Sequence, residues 1–80
     1  MDIQTAIDGL EKEREEIKRQ INSLNEILMQ ISETLPDVPR CHREWSNHPA
    51  TRHLNDVRKN KSRESTRLWK AIKDLKAIIK

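Results

Sequence analysis

Eighty residues with 34% hydrophobic and 36% charged side chains, a single glycine and neither Phe nor Tyr leave room for one small helical domain with a thin core. Eighteen residues are Leu, Ile or Val and the mean hydropathy is −0.94, which excludes a turn-rich β fold, a glycine-looped nucleotide enzyme and a membrane span. The net charge of +3 divides unevenly, with residues 1–35 at −4 and residues 36–80 at +7. A single Cys supports no intramolecular disulfide, and MDIQTAIDG lacks the basic and apolar regions of a signal peptide, so a cytoplasmic protein is expected.

The spacing predicts a first helix over 2–35. Apolar residues fall at Ile3, Ile7, Leu10, Ile17, Ile21, Leu24, Leu28, Ile31 and Leu35, in steps of four and three, and Arg14 holds the one vacant position. A repeat of 3.5 residues sustained over more than four heptads is the pattern of a coiled coil. Ala6, Ile27 and Met29 widen the stripe, so this helix is expected to form the seam of a dimer or tetramer. Asp2 is the expected N-cap, and Asp8–Lys12 and Glu15–Arg19 are favourable pairs at i,i+4. Pro36 and Pro39 end the helix.

Residues 36–50 read as a proline-containing connector. Cys41, His42, His48 and His53 give the spacing C-H-x5-H-x4-H in and just beyond it. Zinc favours two short-spaced ligand pairs, and an adjacent Cys41 and His42 make a poor pair, so scattered polar histidines are the preferred reading over a metal site. Nothing marks an oxyanion hole for a Cys–His nucleophile. Neither an enzyme nor a cofactor is expected.

The second helix is expected over 51–80, with Lys76 and Lys80 at the negative end of its dipole. Leu54 and Val57 begin an apolar stripe, NKSRES (60–65) interrupts it, and Leu68, Ala71, Ile72, Leu75, Ile78 and Ile79 restore it. In an antiparallel hairpin Leu54 comes near Ile31, Leu68 near Ile17 and Leu75 near Leu10, while Lys61 and Glu64 fall opposite Leu24 and Ile21. Either this helix breaks near 59–65 or another chain covers the middle of the first; the second alternative is preferred. Trp69 is expected in the core or an interface.

The candidate binding residues are cationic: Arg40, Arg43, Arg52, Arg58, Lys59, Lys61, Arg63 and Arg67, with Trp45 placed to stack on a base. Lys59, Arg63 and Arg67 form a ridge at i, i+4 and i+8, a mildly repulsive arrangement unless an anion or a carboxylate offsets it. The competing reading is a face that is solvated or salt-bridged to the acidic first helix of another subunit. SREST (62–66) is similar to a segment of small phage proteins that sequester cyclic nucleotides, but lacks the proline flanking that family's motif, and five residues assign the chain to no family.

These features predict an all-α protein, an antiparallel two-helix hairpin assembling into an oligomeric bundle. The leading functional expectation is a non-enzymatic interaction protein, a small regulator or inhibitor that engages a partner, an acidic protein or a phosphate-bearing ligand, through the basic connector and second helix. Nucleic-acid binding is one alternative. Sequestration of a nucleotide by Arg residues of neighbouring chains is another.

Overall fold

The computed structural model describes residues 2–35, 38 and 44–79. Two helices form, α1 over Ile3–Thr34 and α2 over Arg52–Ile78, and no strand is present among the described residues. Asp2, in extended conformation, caps α1: its carboxylate accepts the Thr5 N–H at 2.7 Å, satisfying one of the amides that every helix start leaves unpaired. That bond holds the Asp2 carboxyl below its ordinary value of 3.8. At the other end Leu35 turns extended, because a residue that precedes proline is disfavoured in helical conformation. The helices therefore start and stop within a residue or two of their expected positions, Lys80 lying outside the described residues.

α2 runs unbroken through residues 59–65, which removes the interrupted-helix alternative. Its direction follows from two cross-helix contacts. Lys61 Nζ donates to Gln20 Oε1 at 2.7 Å, and Lys76 pairs with Glu11 at 3.0 Å, so one helix ascends as the other descends. The molecule is a rod of 53 × 16 × 15 Å. Its radius of gyration of 16.5 Å compares with about 12 Å for a compact chain of this length. Its accessible surface of 6037 Å² is about 1,000 Å² more than a compact monomer of 9.5 kDa exposes. No described helix is long and apolar enough to cross a membrane.

The rod is packed unequally along its length. At the loop end Leu28, Val38 and Trp45 form a fully buried cluster, with Ile31 and Leu54 packed against it as the hairpin register requires. Backbone turns over 44–51 deliver Trp45 into this cluster, through Asn47 N–H to Glu44 O at 3.0 Å and Thr51 N–H to His48 O at 3.1 Å. Thr51 stands at the N-cap position of α2 but makes no side-chain cap bond. Its hydroxyl instead donates to Trp45 O at 2.7 Å and clasps the turn. One turn on, buried Asn55 accepts the Arg58 guanidinium at 2.7 Å, while its own Nδ2 has no partner.

Along the expected seam Ile7, Ile17 and Leu28 are buried, and Leu10, Arg14, Ile21, Leu24 and Ile31 are half-buried. Ile3 and Leu35 are exposed, Leu35 because it has left the helix and no longer follows its phase. Two expected ion pairs rearrange: Arg19 pairs with Glu16 at 3.5 Å rather than with Glu15, and Asp8 accepts from Gln4 rather than meeting Lys12.

Candidate functional site

The two tryptophans lie in different surroundings. Trp45, expected to stack on a base, is 0% exposed in the loop-end cluster and presents no face to a ligand. Burial wins because an indole in the connector is the largest apolar group available to fill the gap where the chain reverses. Trp69, expected in the core or an interface, is 43% exposed in the single chain and so lies outside its core. It lies 100° around α2 from Leu68, which places it at the margin of the apolar stripe.

The cationic candidates also separate. Arg58 is half-buried and committed to Asn55, and Lys61 is half-buried and committed to Gln20. Arg52, Lys59, Arg63 and Arg67 are exposed, and among the described residues none of these four has an ion-pair partner. A narrower ridge thus remains, Lys59–Arg63–Arg67 along the outside of a continuous helix. Arg40 and Arg43 lie outside the described residues, as do Cys41 and His42. His48 uses its Nδ1 to accept the Ala50 N–H at 3.1 Å, and His53 is exposed on α2. Among the described residues no three His, Cys, Asp or Glu side chains converge as metal ligands.

A second cationic surface was not foreseen from the sequence. Between α1 residues 11–19 and α2 residues 69–77 runs an open groove of about 750 Å³. Ile72 and Ala77 line it on the α2 side, and Trp69 forms part of its wall with Lys73 Nζ 5.2 Å from the ring centroid, a cation–π distance. From α1 come Lys12, Arg14, Lys18 and Arg19, all four of the basic residues in the acidic first 35. Six cations and two carboxylates line the groove, and one of those carboxylates, Glu11, is already paired with Lys76. The sequence does hold a signal for this site. Every cation of an acidic half falls within eight residues, and one of them, Arg14, displaces a seam hydrophobe.

The fold and its surfaces define a rod-like α-helical hairpin with two cationic faces, one on the outside of α2 and one between the helices. Comparison of the chain with protein-family models, with curated proteins and with solved structures gives no match.

Proposed function

We propose that this chain is a non-enzymatic helical interaction protein, a small regulator or inhibitor, that assembles with copies of itself and engages an acidic protein through the outer face of α2. The observation that carries the partner reading is the unpaired ridge. Lys59, Arg63 and Arg67 are exposed on one rigid helix, with no ion pair to any described carboxylate of their own chain. Three like charges at that spacing repel one another, and an anionic surface relieves the repulsion while gaining attraction. With Trp45 buried, the ridge has no aromatic platform beside it, and this favours a charged protein surface over unstacked bases.

Self-assembly is supported by what a single hairpin leaves wet. Ile27, Met29, Ile78 and Ile79 are exposed, and the polar middle of α2 leaves Ile21 and Leu24 half-covered. The surplus surface of about 1,000 Å² is close to the roughly 800 Å² that each partner hides in a standard interface. Sedimentation equilibrium at low micromolar concentration is expected to give a dimer or tetramer, and a stable, cooperatively folded monomer would contradict this part.

The partner reading is tested by replacing Lys59, Arg63 and Arg67 together with Gln, which holds helix propensity near its present value. The expected variant keeps its helicity and mass in solution but no longer binds poly-L-glutamate. Undiminished binding reduces the ridge to a solvated face. Loss of assembly instead shows that the ridge meets the acidic α1 of another copy. Tighter binding to duplex DNA than to poly-L-glutamate, with the steep salt dependence of counterion release, would replace the acidic protein with a nucleic acid.

A further inference from the structure

We infer that the groove between α1 and α2 is a separate ligand site, one that takes a small aromatic anion: a phosphate or other strongly acidic group carried on a planar ring. Its size fits. A volume of about 750 Å³ lies inside the range of roughly 300–1,000 Å³ typical of small-molecule sites.

Its charge fits as well. Glu11 is neutralised by Lys76, and Arg19 by Glu16. That leaves Lys12, Arg14, Lys18 and Lys73 facing a single carboxylate, Glu15. Such a concentration of like charge in a concave surface focuses a positive potential, and assembling it costs free energy that a bound anion offsets. α1 collects these cations although it is otherwise acidic, so the overall basicity of the chain does not account for them.

The ring is selected by Trp69 and the apolar lining. An indole left 43% exposed beside Ile72 and Ala77 offers a flat apolar contact, and Lys73 beside it holds positive charge next to the place a ring would occupy. Arg14 adds a further mark. It stands where the heptad calls for a hydrophobe, and its Nε is buried with no acceptor. A leucine there would pack without leaving a buried donor unpaired, so this arginine costs stability while keeping a guanidinium at the groove. Bidentate geometry also suits a guanidinium to phosphate better than an ammonium.

The site shares no residue with the Lys59–Arg63–Arg67 ridge, so it stands or falls independently of the partner proposed for that face. The two indole N–H resonances of the intact chain provide the assay, with buried Trp45 as the internal control. Titration with 1-naphthyl phosphate is expected to shift the Trp69 resonance, identified by its disappearance in Trp69→Leu, and to leave Trp45 in place. Calorimetry is expected to show inorganic phosphate binding at least about tenfold more weakly than naphthyl phosphate, and Trp69→Leu and Lys18→Gln each losing about tenfold in affinity. Both substituted side chains are exposed, so neither change threatens the fold. Equal affinity for inorganic phosphate, unchanged affinity in both variants, or no binding at millimolar concentration would overturn the site. A Trp69 resonance that moves on dilution while ignoring naphthyl phosphate would overturn it too, by assigning the groove to a second copy of the chain.

Discussion

The two halves of the hairpin hold one tryptophan each, and the pair shows how the same side chain serves opposite purposes. At the loop end Trp45 is sealed among Leu28, Val38 and Leu54, and the turn that carries it is clasped by the Thr51 hydroxyl. In the other half, just past the middle of the rod, Trp69 stands at the groove with a lysine against its ring and further cations lining the same groove. The first half closes the chain on itself; the second leaves a large apolar surface in a charged, concave and accessible setting. A rod 53 Å long and two helices wide cannot bury everything, and where it spends its burial separates structure from recognition.

The largest test of this contrast substitutes each tryptophan in turn. Trp45→Ala removes the centre of the loop-end cluster and is expected to cost about 3–5 kcal/mol, much of the stability available to a domain of this size. Trp69→Ala is expected to change stability by no more than about 0.5 kcal/mol. Urea unfolding followed by circular dichroism measures both, and equal losses would erase the distinction between the halves. Next in size is Thr51→Val, which keeps the shape and removes the hydroxyl clasp. A loss of about 1 kcal/mol is expected in the same experiment. Arg14→Leu tests the groove side of the contrast. It should raise the melting temperature by relieving a buried, unpartnered Nε while weakening naphthyl phosphate binding, a trade of function for stability. A fall in melting temperature would show that Arg14 makes a needed contact with another copy.

The smallest effect concerns the α1 cap at Asp2. Its carboxyl is held below 3.8 by the Thr5 N–H, so the cap contributes fully at pH values well above 3.8 and is lost as pH falls through the lowered value. Acidification should therefore lower the protection of the Thr5 amide relative to its intrinsic exchange rate at the same pH. Asp2→Asn, which caps without titrating, should remove that acid-induced loss of protection. An identical pH response in the variant would assign it to other carboxylates.

Much of this architecture is legible in the chain. The apolar spacing from Ile3 to Ile31, the cap at Asp2, the stop at Leu35 before proline and the Leu54–Ile31 register are all local or periodic signals. The fates of the tryptophans are not. Trp45 lies outside any periodic segment, among arginines and histidines, and only the reversal of the chain brings Leu28 and Leu54 to it. Trp69 follows Leu68 directly, and of the core or interface place that this adjacency suggests, a rotation of 100° removes the core. The ridge was legible in part: its spacing is plain, but that Arg58 and Lys61 are occupied by Asn55 and Gln20 depends on contacts across turns and helices. The groove required two helices to be set side by side before four α1 cations and an α2 indole could be recognised as neighbours.

The closed half and the open half are told apart most directly by hydrogen exchange of the two indole N–H groups in the unmodified protein. Trp45 is expected to exchange slowly, at a rate set by opening of the fold, and Trp69 at a rate close to that of an unstructured peptide. Comparable protection of both indoles would contradict this division, because Trp69 would then be covered and the groove would be part of an assembly interface rather than a site open to a ligand.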